Sequence, residues 1–256
     1  MKILAIGDIV GRVALDYVKE RLWGLRRELS ADFVVANGEN VCDIHGIDAE
    51  EAETLFASGV DLITTGNHVF SRRTAYSYLD NTEAILRPCN YPPEAPGKGY
   101  TILDVDGWRV LCINAMGRTY MEPLASPFES VDKILAREEG KYDLALLDFH
   151  AEATSEKLAM AHYFDGRISV MFGTHTHVPT ADERILPKGS GYITDLGMTG
   201  PVDSILGTDK DAILRRFLTA MPQRFMVAEG KIEGAGVLFE VDPSTRRVLS
   251  VKRITF

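Results

Sequence analysis

Carboxylate, amide and imidazole side chains recur along this chain at Asp8, Glu39-Asn40, Asn67-His68, His150 and His175-Thr176-His177. They offer oxygen and nitrogen donors without thiolate, a set that suits divalent transition-metal ions and the hydrolytic chemistry such ions promote. His175-x-His177 is the strongest of these signals. In an extended segment residues i and i+2 point to one side, so both imidazoles would approach one cluster of ions. The preceding Gly173 would let the backbone come close. Gly7-Asp8 alone is a weak signal, since an Asp between strand and helix is most often a helix cap. Asn37-Gly38 could mark a hairpin turn, but the residues after it do not alternate as a return strand should. His45 sits in a polar loop and His162 within the amphipathic segment Lys157 to Phe164, so both are read as ordinary loop and helix residues.

These side chains can act together only if the elements before them converge. Lys2 to Ile6 is a short apolar run followed by Leu15, Val18, Leu22, Leu25 and Leu29, the stripe of an amphipathic helix. The pattern repeats with Phe33 to Ala36 before a helix capped near Asp48, and with Leu62 to Thr64 before a helix near Ser71. Tyr100 to Val105 and Trp108 to Asn114 flank Asp106-Gly107, a hairpin signal. Helix 128–139 then leads to strand Leu144 to Leu147, and helix 154–164 to strand Ile168 to Phe172. After a helix at 209–219 come β segments around 224–228, 234–241 and 246–255. The alternation predicts an α/β fold in which parallel strands join an antiparallel element, forming mixed β-sheets flanked by helices. All five segments then fall at the carboxyl ends of strands, where the ligand crevice of an open α/β sheet lies.

The series Gly-Asp8, Gly-Glu39-Asn40, Gly-Asn67-His68, His150 and Gly-x-His175-x-His177 resembles the calcineurin-like metallophosphoesterases, whose motifs occur in this order at strand ends. Two departures narrow the resemblance. Asp8-Ile9-Val10 lacks the usual first-motif histidine, and Glu39-Asn40 replaces the usual second-motif Asp; this combination is similar to the YmdB family. The likeness runs from the opening Met-Lys-Ile-Leu-Ala-Ile-Gly-Asp-Ile-Val-Gly past the double histidine. It implies a calcineurin-like metallophosphoesterase sandwich and a phosphodiesterase acting on small diesters, notably 2′,3′-cyclic nucleotides, by attack of a metal-bridging hydroxide. Members are linked to bacterial regulation of RNA turnover and biofilm behaviour.

Carried over position by position, the resemblance implies that Glu39 bridges two metals. Asp8, Asn40 and His177 would complete one site, and Asn67, His150 and His175 the other. His68 would be the non-ligand and the general acid. The donor set suits iron or manganese and admits zinc. Two divalent ions offset by Asp8, Glu39 and a hydroxide leave about one positive charge to meet a monoanionic diester.

Composition is that of a globular protein able to bury a sizeable core. The 256 residues are 45% hydrophobic and 25% charged, which excludes a disordered or collagenous chain and fits one domain spanning 1–256. A net charge of -9 argues against stable nucleic-acid binding. No uncharged apolar run approaches membrane-spanning length and no signal-peptide core opens the chain, so a cytoplasmic protein is expected. Three cysteines without C-x-x-C fit a reducing compartment. Dinucleotide, P-loop and serine-elbow motifs are absent. Loop 117–127 could line the pocket, with Arg118 able to pair with phosphate, and reads at least as well as an ordinary solvated loop. A phosphomonoesterase and a metal-dependent regulatory binding protein with little turnover remain the rival readings, and a homo-oligomer stays open.

Overall fold

Both faces of strand β1 (Lys2–Ile6) are buried: Ile3 and Ala5 enter one apolar layer, Leu4 and Ile6 another. A strand apolar on both faces belongs inside a layered α/β fold, which is what the computed structural model of residues 1–256 contains. After β1 come β2 (Asp8–Ile9), helix α1 (Gly11–Leu29), β3 (Phe33–Asn37), α2 (Ala49–Ala57) and β4 (Leu62–Thr64). A 3-10 turn, Arg73–Ala75, runs into α3 (Tyr76–Asn81), followed by β5 (Ile85–Leu86). Next are β6 (Tyr100–Val105), β7 (Trp108–Met116), α4 (Pro127–Arg137), β8 (Leu144–His150), α5 (Thr154–Phe164) and β9 (Val170–Thr174). The chain finishes with β10 (Arg184–Ile185), β11 (Gly191–Ile193), β12 (Met198–Pro201), α6 (Lys210–Thr219), β13 (Ile232–Glu233), β14 (Ala235–Asp242) and β15 (Arg247–Thr255).

Two six-stranded sheets form, in the orders β15-β14-β1-β3-β4-β5 and β10-β11-β9-β8-β7-β6. In each, four neighbouring strands are parallel: β1, β3, β4 and β5 run together, as do β11, β9, β8 and β7. Antiparallel strands complete both sheets. Ile3, Phe33, Val35 and Leu62 of the first sheet meet Cys112, Leu146, Val170 and Phe172 of the second in one sealed layer. The other face of the first sheet packs on α1 and α2 through Val18, Leu22 and Leu55. That of the second packs on α4 and α5 through Val131, Met160 and Phe164.

The expected hairpin closes through Asp106 and Gly107, both at positive φ. Three expectations need correction. The helix near Ser71 is only the 3-10 turn and the six residues of α3. Segment 224–228 is not a strand; it carries a single bridge, Val227 to Thr208. Asp48 precedes α2 but does not cap it, because its carboxylate takes Thr74 Oγ1 and Cys42 Sγ instead. The short strands β2, β5 and β10 to β13 had no readable period.

At the carboxyl ends the two sheets are tied together by polar side chains. Asp148 of β8 accepts from Thr64 Oγ1 of β4 at 2.5 Å and from Thr174 Oγ1 of β9 at 2.7 Å. Asn37 Nδ2 of β3 donates to the same carboxylate at 3.4 Å.

Candidate active site

The strand ends bring Asp8, Glu39, Asn40, Asn67, His68, His150, His175 and His177 together around this polar seam. Glu39 lies at the centre. Its Oε1 is 3.0 Å from His150 Nε2, and its Oε2 accepts the backbone N–H of His68 at 2.9 Å. His150 Nε2 is in turn 3.0 Å from Asn67 Oδ1 and 3.1 Å from His175 Nδ1. Donor atoms of Glu39, His150 and His175 all fall within 4.8 Å of one another, a spacing suited to one divalent ion. Across Glu39, Asn40 Nδ2 lies 3.4 Å from Glu39 Oε1 and 3.2 Å from His177 Nε2; turning the amide over would present its oxygen. Asp8 Oδ2 accepts from His175 N at 3.2 Å, whereas its Oδ1 is fully buried, has no hydrogen-bond partner and sits 3.7 Å from His177 Nε2.

Each of three imidazoles has its far nitrogen engaged. His150 Nδ1 meets Thr174 Oγ1 at 2.9 Å, which itself donates to Asp148; His175 Nε2 meets Glu152 Oε2 at 3.2 Å; His177 Nδ1 donates to the Leu206 carbonyl at 3.0 Å. Such partners fix the tautomer and turn the free lone pairs of His150 Nε2, His175 Nδ1 and His177 Nε2 inward, the arrangement that metal-binding histidines adopt. An orphaned buried carboxylate oxygen beside those lone pairs fits a cation.

The buried charges of the cluster are strongly coupled. Burial pushes the Asp8 carboxyl upward, with His177 and His150 partly opposing it. Glu39 is penalised by burial too, but His150 and His68 outweigh this and hold it at about 2. The reverse holds at His150: burial acts to lower it, yet Glu39 and Asp8 raise it to about 9. Burial lowers His68 below its ordinary value, so the neutral ring is favoured near pH 7.

His175 and His177 do not lie on an extended segment as expected. β9 ends at Thr174, and the two residues have φ of 99° and 62°, in left-handed backbone that costs L-residues roughly 1–2 kcal/mol each. The turn still brings both imidazoles to the cluster, His175 Nδ1 at 3.1 Å from His150 Nε2 and His177 Nε2 at 3.2 Å from Asn40 Nδ2. It is braced from below by a buried ion pair: Lys157 Nζ donates to Asp195 Oδ2 at 2.6 Å and to the Thr174 carbonyl at 2.9 Å, and Asp195 also takes Thr176 N at 3.3 Å. Gly173 allows close approach here, since a Cβ would lie 2.0 Å from the Thr194 carbonyl oxygen. Gly66 does the same for His150, whose ring a Cβ would meet at 2.2 Å.

The pattern of YmdB-like proteins matches residues 4–254. The chain belongs to the YmdB-like family. A protein of Bacillus subtilis (strain 168) named 2′,3′-cyclic-nucleotide 2′-phosphodiesterase is 45% identical over 254 residues, covering 99% of this chain and 96% of that protein. The crystal structure of a hypothetical protein from Thermus thermophilus has a TM-score of 0.94 at 42% identity, covering 100% of this chain and 99% of that one. That of a novel phosphatase from Mycoplasma pneumoniae gives 0.95 at 33% identity, over 100% and 93%. Haemophilus influenzae NAD nucleotidase, at 14% identity and a TM-score of 0.61, covers 100% of this chain and 55% of its own, and shares the fold alone. The α/β architecture of mixed sheets flanked by helices is thus the metallophosphoesterase sandwich.

Two side chains of this family member escaped sequence reasoning. His45, read as a loop residue, stacks on His68 with ring centroids 3.8 Å apart and planes inclined at 26°. The turn that carries it closes through Cys42 N to Gly46 O, at 3.0 Å. Glu152, two residues beyond His150, anchors His175. Arg118 lines a neighbouring cavity with Thr119, Pro127 and Glu156. Tyr120, Met121 and Glu122 of the same loop line the cavity of about 360 Å³ that Asn67 and His175 border.

Proposed function

We propose that the chain is a metal-dependent phosphodiesterase hydrolysing small phosphodiesters, 2′,3′-cyclic nucleotides foremost, with two divalent transition-metal ions as cofactors. The observation that carries this reading is Asp8 Oδ1, buried and unpartnered beside His177 Nε2. A carboxylate oxygen left so inside a protein is expensive unless a cation completes it. Asp8, Asn40 and His177 would hold one ion, Asn67, His150 and His175 the other, and Glu39 would face both. The activity named for the Bacillus subtilis relative supports the substrate class. Iron or manganese suits these donors, and zinc is compatible with them. Bound there, such ions supply Lewis-acid polarisation of phosphoryl oxygens and activation of water.

The protein's own groups carry the rest. Glu39, held ionised, balances the cationic charge while His68 N–H keeps its second oxygen in place. His68, adjacent to Asn67, donates a proton to the departing ribose oxygen. Burial disfavours the imidazolium there, and the negative charge of a bound diester favours it, as donation requires. In the balanced reaction the oxygen of water ends on phosphorus, the bond from phosphorus to O2′ breaks, and O2′ leaves as a hydroxyl bearing the His68 proton. The proton lost by water restores the ring. The nucleoside lies in the cavity between Tyr120 and His175.

The test is turnover of a 2′,3′-cyclic nucleotide against the matching 3′-monophosphate, on protein of measured metal content. Faster hydrolysis of the diester, lost on chelation and regained with manganese or iron, is expected. Preference for the monoester would assign a phosphomonoesterase, and ligand binding without product in a single turnover would assign a regulatory binding protein.

A further inference from the structure

Helix α2 opens without the capping bonds that its sequence provides for. Asp48 stands at the cap position and Glu51 three residues later, where a carboxylate ordinarily reaches back to the N–H of the cap. Neither side chain does this. Asp48 makes no capping hydrogen bond, and Glu51 Oε1 takes Arg12 Nη2 at 2.7 Å while its Oε2, on a side chain 3% exposed, has no hydrogen-bond partner. Both carboxylates gather instead around Cys42, itself buried. A donor atom from each of Cys42, Asp48 and Glu51 lies within 4.8 Å of the other two, and Cys42 Sγ is 3.9 Å from Asp48 Oδ2. Each carboxylate is held by one oxygen, Glu51 Oε1 by Arg12 and Asp48 Oδ1 by Thr74 Oγ1, which leaves the second oxygen of each for a further partner.

We propose that Cys42, Asp48 and Glu51 bind a zinc ion, separate from the ions proposed around Glu39. A carboxylate oxygen buried unpartnered beside a thiol and a second carboxylate is costly unless a cation meets it. Sulfur decides which cation. Magnesium and calcium take oxygen donors, whereas zinc takes thiolate and carboxylate together. Three protein donors leave the fourth tetrahedral position to water, and the half-buried Asp48 gives access from solvent. The charges close as well. Thiolate and two carboxylates bring three negative charges, zinc and Arg12 three positive ones, and the thiol proton goes to solvent as the metal enters. Arg12 and Thr74, bonded to the two carboxylates from outside, are the support that metal ligands usually have. The ion joins helix α2 to the turn closed by Cys42 N on Gly46 O, from which His45 stacks on His68.

Cobalt(II) chloride titrated into the chelator-stripped full chain tests this, because a thiolate bound to cobalt gives an intense near-ultraviolet charge-transfer band and none of the donors around Glu39 is sulfur. The wild type is expected to develop the band and to lose it when zinc chloride is added. Cys42→Ser should abolish the band, and Glu51→Gln should raise the cobalt dissociation constant read from it at least ~10-fold, with circular dichroism unchanged in both. A wild type without the band would overturn the proposal and leave Cys42 as a thiol donating to Asp48. So would a band that survives in Cys42→Ser or resists zinc, and an unshifted constant in Glu51→Gln overturns it equally. The band does not report ions held by nitrogen and oxygen alone, so this outcome is independent of metal binding around Glu39.

Discussion

Glu39 Oε2 accepts the backbone N–H of His68 at 2.9 Å while Glu39 Oε1 faces the His150 ring, so one carboxylate joins the group proposed to release the leaving oxygen to the proposed metal cluster. Glu39 cannot move without displacing the peptide next to Asn67. The position demands a negative charge as well as an acceptor, and the two requirements can be separated by substitution.

Glu39→Gln keeps an oxygen for the His68 N–H and removes the charge. Turnover should fall by at least ~10³-fold and bound metal should drop, while circular dichroism and thermal unfolding show an intact fold. Metal analysis beside the activity assay checks both halves. A folded variant with full metal and near wild-type turnover would take Glu39 out of the centre.

The turn bearing His175 and His177 is strained, and the Lys157–Asp195 pair beneath it is buried at both ends. Lys157→Met would leave Asp195 as an uncompensated buried charge, expected to lower the free energy of unfolding by about 3–5 kcal/mol. Urea unfolding measures this. Bound metal should weaken along with stability, because the Thr174 carbonyl that anchors the turn loses its Lys157 donor and keeps only Ala151 N at 3.4 Å.

The depth of this lower layer explains what the sequence concealed. Apolar runs ending in polar residues located five strand ends, because burial of a strand and exposure of its tip leave opposite marks on neighbouring residues. Asp148, Thr174 and Asn37 lie just past those runs but still inside their strands, where a buried polar residue has no period to betray it. His45 was invisible for another reason: its approach to His68 depends on a turn closed by Asp43 and Gly46 at positive φ, and loop curvature has no pattern in the side chains it carries. The extended reading of His175-x-His177 failed in the same way, since spacing alone does not report left-handed backbone.

Tyr120 is 91% exposed at the mouth of the cavity shared with Asn67 and His175, a placement suited to stacking on a nucleobase. Tyr120→Ala should raise KM for a 2′,3′-cyclic nucleotide by roughly 5–150-fold, as expected for a lost stacking contact of about 1–3 kcal/mol. Bis-(p-nitrophenyl) phosphate, which lacks a base, should be far less affected. Steady-state kinetics on both substrates decides it, and equal losses would remove the stacking role.

His68 is the residue whose function depends most on the leaving group. A ribose alkoxide is strongly basic and needs a proton as it departs, whereas nitrophenolate leaves readily without one. His68→Ala should therefore lower kcat on a 2′,3′-cyclic nucleotide by ~10²–10⁴-fold, and much less on bis-(p-nitrophenyl) phosphate. Metal content should not change if the ring is no ligand, and its backbone N–H to Glu39 survives the substitution. Loss of metal would make His68 a ligand. Removing the ring also frees the face of His45, so His45→Ala serves as the control for lost stacking. If that variant reproduced the leaving-group dependence of His68→Ala, the effect would arise from ring placement. Equal losses on both substrates, with metal retained and chemistry rate-limiting, would sink the acid assignment and leave the phosphodiesterase reading standing.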